Sequence, residues 1–175
     1  MRFSILIMIV VSITTSLGCE QKNLRKATKN PLLGSWEMEK VAWKSPDTTI
    51  SIEKAQPGVI MFTPKRYSLI WTPIKEKRKA FEILARPTEE EILAGFRSVV
   101  FNSGTYSFTD SSITTTALLA KVPGFEGGRQ FYRYSLEKDL INLIFYDEIY
   151  PNGSKPEWSG KWETHFTLKR IDSVE

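Results

Sequence analysis

Cysteine is nearly missing. Among 175 residues only Cys19 carries a thiol, so no intrachain disulfide can form and packing must hold the fold. Histidine is as scarce, with His165 standing alone. No His/Cys spacing suited to a metal ion occurs, so neither metal nor cofactor is expected. No Gly-x-Ser-x-Gly elbow occurs either. A serine nucleophile would need His165 in the interior, whereas alternation along its segment turns it outward with Glu163 and Lys169. No catalytic residue is therefore expected, and the chain reads as a non-enzyme. Charge of one sign is also lacking: 24 Lys and Arg against 20 Asp and Glu leave a net charge of +4. It is spread out, without the basic stripe that a nucleic-acid partner requires. The apolar run at residues 3–13 is roughly 11 long, about half of what crosses a bilayer as a helix.

That run instead belongs to a leader. Met1 and Arg2 make a minimal cationic start, and Thr15, Ser16, Leu17, Gly18 and Cys19 follow the apolar stretch. Residues 1–18 are expected to be a signal peptide. Gly18-Cys19 resembles the lipobox of bacterial lipoproteins, in which a small residue precedes a cysteine that is acylated through sulfur and becomes the new N-terminus. Leu17 stands at −2; the leucine-like residue of that pattern stands at −3, here Ser16. The resemblance implies lipidation of Cys19, attachment to a bacterial membrane, and a cell-envelope location facing the periplasm or the exterior. Ordinary cleavage near Gly18, releasing a soluble product, is the alternative. Residues 19–31 hold Lys22, Arg25, Lys26 and Lys29 without hydrophobic periodicity, and read as the anchor cysteine with a flexible tether.

What is plentiful is aromatic side chains, 12% of the chain, within a composition that suits one globular domain, residues 32–171. From Leu32 onward the apolar residues recur with period two, the strand signal. Three stretches share a pattern: Phe62 and Tyr67 enclose "TPKR", Phe108 and Ile113 enclose "TDSS", and Leu136 and Ile141 enclose "EKDL". A four-residue turn between such a pair predicts a hairpin with the pair opposed on one face. Counting outward by twos turns Ile60, Leu69, Trp71, Tyr106, Thr115, Ala117, Tyr132, Tyr134, Leu143 and Phe145 inward with them. A first strand near 34–43 and a last near 161–171 bring the count to eight. In the last, Phe166, Leu168 and Arg170 share a face. An antiparallel sheet of that length must deal with its edges, and closure into a barrel removes them.

One helix interrupts the strands. Thr88 with Glu91 makes a capping box after Pro87, and Ile92, Phe96, Val99 and Val100 form a stripe at helical spacing, expected to cover an end or flank of the barrel. Glu89, Glu90 and Glu91 suit the positive end of that helix rather than an acid pair. Residues 123–128, "PGFEGG", join no strand to a helix and so do not suggest phosphate binding. They read as a loop at a barrel mouth. Residues 150–160, before the last strand, are another long turn-rich loop.

Gly34-Ser35-Trp36 at the first strand resembles the Gly-x-Trp motif of lipocalins, where the tryptophan plugs one end of the barrel under an arginine of the last strand, a part open to Arg170. More narrowly, the order of Gly34–Trp36, Phe62-Thr63 with Tyr67-Ser68, Ser103–Tyr106, and Tyr134–Leu136 with Ile141 and Leu143 is similar to the bacterial lipocalin-like domain family. The resemblance implies an all-β fold: an antiparallel up-and-down eight-stranded lipocalin-like barrel with one inserted short α-helix. Gly34, Trp36 and Arg170 would close it. It also suggests a small hydrophobic or amphipathic ligand as partner. A cavity for it would be lined by Tyr67, Trp71, Tyr106, Tyr132, Tyr134 and Phe145, though the same rings could simply fill the interior. Two other readings remain. One is a filled barrel acting as an envelope scaffold or partner-binding module, with exposed Trp43 and Trp158 making contacts. The other is a barrel enzyme acting on a small apolar substrate.

Overall fold

The computed structural model describes residues 30–171. The expected signal peptide, the expected lipidation site Cys19 and the expected tether as far as residue 29 lie outside the described residues. Along the chain come β1 (Gly34–Lys44), β2 (Thr49–Ile52), β3 (Val59–Phe62), β4 (Arg66–Trp71), α1 (Glu89–Arg97), β5 (Val100–Phe108), β6 (Ser112–Ala120), β7 (Arg129–Glu137), β8 (Leu140–Ile149) and β9 (Glu163–Arg170). Every pairing is antiparallel, and β1 pairs with β9 to close the sheet. Both β2 and β3 lie on the other edge of β1: Val41–Lys44 pair with β2, and Gly34–Glu37 pair with β3. Backbone bonds from Met38 N–H to Gly58 and from Ala55 N–H to Glu39 bridge the interval. The two short strands act as one broken staff, so the closed barrel has eight.

The three hairpins have the registers that their sequences predict: Phe62 opposes Tyr67, Phe108 opposes Ile113, and Leu136 opposes Ile141. The first two turns are built alike. Thr63 and Thr109 each take the N–H three residues on with the hydroxyl and give the main-chain N–H back to the same residue's carbonyl. The third is tighter, closing at Glu137 and Leu140 with Lys138 in the left-handed region at φ 52°.

Period-two alternation fails at three bulges, where one strand carries an extra residue: Glu39 in β1, Leu118 in β6 and Tyr146 in β8. Each reverses which residues face inward beyond it. Beside the second bulge the β6 backbone approaches Gly104 so closely that a Cβ there would lie 1.9 Å from the Thr116 carbonyl oxygen, so only glycine fits.

The helix forms as its cap predicts, with the Thr88–Glu91 box complete, but its stripe does not pack as expected. The helix ends at Arg97, before Val99 and Val100, and none of its residues is buried. Ile92 and Phe96 stay exposed. Within the excursion Arg78 donates to the Ser98 hydroxyl and Phe81 packs at Gly95, and Lys121, just past β6, donates to the Phe96 carbonyl. The long excursion over residues 72–99 can thus satisfy its own cap without burying its apolar side.

Candidate ligand-binding site

The barrel has two unlike poles. One carries the short turns at 63–65, 109–111 and 138–139. The other carries the long connections at 72–99, 121–128 and 150–162.

At the short-turn pole, Trp36 is fully buried and its indole N–H donates to the Leu32 carbonyl at 2.8 Å. The Arg170 guanidinium lies 3.9 Å over the indole and donates to the carbonyls of Leu33 (2.7 Å) and Pro31 (3.1 Å). Trp36 and Arg170 are direct register partners across β1 and β9, which sets the contact. Gly34 sits at φ 117°, and a Cβ there would come within 3.1 Å of the Arg170 guanidinium. Indole and guanidinium together seal this end while the arginine satisfies carbonyls of the incoming chain.

The six inward rings expected to line a cavity occupy the interior at different heights, and none borders the pocket at the long-loop pole. Tyr106 and Tyr134 are fixed near the sealed pole, their hydroxyls on the carbonyls of Thr63 (2.7 Å) and Thr109 (2.8 Å). Trp71 packs edge-on against Phe166 at 5.1 Å, and Phe145 lies between Tyr132 and Trp158 at 5.1 and 5.0 Å. Tyr67 and Tyr132 are buried in mid-barrel. With Leu69, Ile113, Ile141, Leu143 and Leu168 these rings make one continuous core, so the middle of the barrel is filled. Trp43 and Trp158 are half-buried against that core and against Phe145, not exposed as expected.

The open space lies above this plug, at the long-loop pole. A pocket of about 540 Å3 is bounded by Val100, Phe101 and Asn102 of β5, the β6–β7 loop through Phe125, Gln130 of β7, Glu148, and residues 150–152. Phe125 and Tyr150 stand nearly perpendicular, 6.2 Å apart, as part of its wall. Its floor is polar. The Tyr67 hydroxyl donates to Asn102 Oδ1 at 2.8 Å, and Asn102 Nδ2 donates to Gln130 Oε1 at 3.0 Å. The Tyr132 hydroxyl donates to the same oxygen at 2.9 Å, and Gln130 Nε2 donates to Glu148 Oε2 at 2.7 Å. A hydrogen-bonded chain thus runs from the core to the pocket and ends on a carboxylate.

Burial sets the protonation of this chain. It raises the Tyr67 phenol to about 12 and the Tyr132 phenol well above its ordinary value, so both remain donors. Thr115 lies beside both phenols, yet its own buried hydroxyl oxygen makes no hydrogen bond of ordinary geometry among the described residues. Burial also raises Glu148, and Asp147 next to it pushes the same way, against the lowering effect of the Gln130 amide. Asp147 faces outward, held by Lys155 and the Ser159 hydroxyl. Lys121 borders the pocket, but its ammonium is occupied by the Phe96 carbonyl at 2.7 Å and the Phe96 ring.

Of these floor residues, Asn102 and Gln130 follow from the same alternation that turned Tyr106 and Tyr132 inward. Glu148 does not: counted from Phe145 it belongs outside, and the Tyr146 bulge turns it in.

A closed up-and-down barrel, plugged through its middle, sealed at one pole and pocketed at the other, is the architecture of small barrels that bind compact ligands. The sequence pattern of the lipocalin-like domain family matches residues 33–171, and the chain belongs to that family. Among solved structures it is similar to a lipocalin-like protein from Bacteroides uniformis ATCC 8492, with 14% identity, a TM-score of 0.40, and coverage of 80% of this chain and 98% of that one. No match is found among curated proteins. Membership in the family supports a role in binding small ligands.

Proposed function

We propose that the protein is a lipid-anchored, lipocalin-like binding protein of the bacterial cell envelope, and that it takes a small hydrophobic or amphipathic molecule in the pocket at its mouth. The observation that carries this is the apolar-walled space above a polar floor at the long-loop pole. Apolar walls with a few fixed polar groups are what compact ligands need, whereas the filled interior offers no room. Acylation at Cys19 would supply the membrane attachment. Asn30 bonds to Tyr106 at the sealed pole, so an anchor N-terminal to it would leave the mouth facing away from the membrane.

A thermal-shift and native mass-spectrometry panel of apolar and amphipathic molecules tests the pocket. A bound species whose stabilisation is lost in Val122→Trp, which puts bulk into the pocket, supports the reading; no bound species across the panel sinks it. Cys19→Ser tests the anchor: the variant should leave the membrane fraction and lose incorporated fatty acid.

A second reading is favoured by one observation. Ile83, Leu84, Ile92, Leu93 and Phe96 are exposed along the excursion that carries α1, an apolar surface suited to a protein contact. On this reading the plugged barrel is a scaffold and the helix side is what it presents.

A further inference from the structure

We propose that the mouth pocket selects a small amine: an ammonium, or another cation bearing N–H donors, seated on Glu148 with its apolar body between Val122, Phe125 and Tyr150. This rests on the reading of the mouth as the ligand site and adds the chemical class of the ligand.

The hydrogens of the floor point one way, from the phenols of Tyr67 and Tyr132 through the amides of Asn102 and Gln130 onto one oxygen of Glu148. The Tyr132 hydroxyl and the Asn102 amide both donate to Gln130 Oε1, which fixes the amide and presents its Nε2 to the carboxylate. The other carboxylate oxygen, Oε1, takes no hydrogen bond among the described residues, and no Lys or Arg of those residues forms an ion pair with Glu148. The floor therefore offers one strong acceptor facing an apolar space. Its spare donors are single amide hydrogens on Asn102 and Gln130.

The other charged groups do not cancel that acceptor. On β8, Asp147 is of the same sign and is neutralised by Lys155 on the outer surface. In the β6–β7 loop, Lys121 is directed to the Phe96 carbonyl, and Glu126 caps the Gly124 N–H. From β4 and β7 only the un-ionised phenols of Tyr67 and Tyr132 face the chain, and from β5 only Asn102. The perpendicular pair of Phe125 and Tyr150 adds ring surface that attracts a cation. A carboxylate ligand would meet Glu148 as a like charge. A neutral alcohol would reach it with one hydrogen bond, and an ammonium would add the opposite charge in a partly desolvated site.

The raised pKa of Glu148 gives the proposal a pH signature. Below that pKa the carboxyl is protonated, and the amine loses its counter-charge. Amine affinity should therefore rise with pH through the Glu148 titration, while the affinity of a neutral analogue stays flat.

The test is calorimetric titration of the purified protein with 2-phenylethylamine, 2-phenylethanol and 3-phenylpropionate at pH 7.5, and again at pH 5. The amine should bind at least about tenfold more tightly than the alcohol at pH 7.5 (~1.4 kcal/mol), with the acid weakest. Glu148→Gln should bring amine and alcohol together within about twofold and abolish the pH dependence. Its melting temperature, recorded alongside, should be no lower than that of the parent, which excludes unfolding as the cause. Alcohol binding without preference for the amine overturns the proposal and leaves the mouth site standing, as does an amine preference that survives Glu148→Gln. Failure of all three compounds, with failure of the broader panel, removes the mouth site itself.

Discussion

The two poles of this barrel use similar residue types to opposite ends. At the sealed pole an aromatic ring, a charged group and backbone carbonyls meet one another fully: Trp36 under Arg170, Arg170 on Leu33 and Pro31, and Tyr106 and Tyr134 on turn carbonyls. At the mouth the aromatic pair Phe125 and Tyr150, the carboxylate of Glu148 and two amides leave capacity unused. Turn length underlies the contrast. Short hairpins bring strand ends together over the interior and leave no gap to fill. Connections of the length seen at 72–99 and 150–162 stand away from it and leave a concavity. One pole is closed by its own side chains and the other retains open space.

This contrast can be broken at four points. The largest effect should come from Trp36→Ala, which empties a fully buried site and removes the ring under Arg170. A loss of about 3–5 kcal/mol in denaturant unfolding is expected. Arg170→Met keeps much of the apolar stem but leaves two carbonyls without their donors and should cost about 2 kcal/mol, with any ligand affinity at the mouth little changed.

Next is Glu148→Gln. Because the folded pKa lies above the ordinary value of 4.5, the native state binds the proton more tightly than the unfolded chain does. The parent should lose stability as pH rises from about 4.5 through the folded value, and the variant should not show that loss. Paired thermal melts between pH 4 and 8 (~0.5-unit steps) check the sign. The smallest effect belongs to Ile92→Ser in α1. Its side chain is exposed, and a change within about 0.5 kcal/mol is expected. A loss as large as that for Trp36→Ala would mean that the helix packs on the barrel in solution.

Much of the fold was legible in the sequence because hairpins are local. The opposed pairs, Phe62 with Tyr67, Phe108 with Ile113 and Leu136 with Ile141, depend on turn chemistry and on alternation over a few residues. Three features were not. The strand β2 is four residues long and only Ile52 is buried, too little for a period to show, and Pro57 and Gly58 soon follow. The stripe on α1 had the spacing of a buried face, but nothing in a one-dimensional pattern says whether a surface is near enough to receive it. The bulges mattered most for the site. Leu118 and Tyr146 exchange the faces beyond them, so Ala120 and Glu148 reach the pocket although simple alternation turns Glu148 outward. Alternation turns the rings inward, where they lie, but the pattern carries no volumes. That they pack into a plug, and that the open space starts one layer higher, is a matter of side-chain sizes summed around the barrel.

The most direct test of the account is a map of amide chemical-shift changes in the labelled protein on titration with 2-phenylethylamine. Changes concentrated at Ala120, Phe125, Gln130, Glu148 and Tyr150, with Tyr106, Tyr134 and Ile141 unmoved, are what a plugged barrel with its pocket at the mouth predicts. Changes centred on Tyr106, Tyr134 and the interior near Trp36 would contradict it, because they would require a hollow where the core is filled.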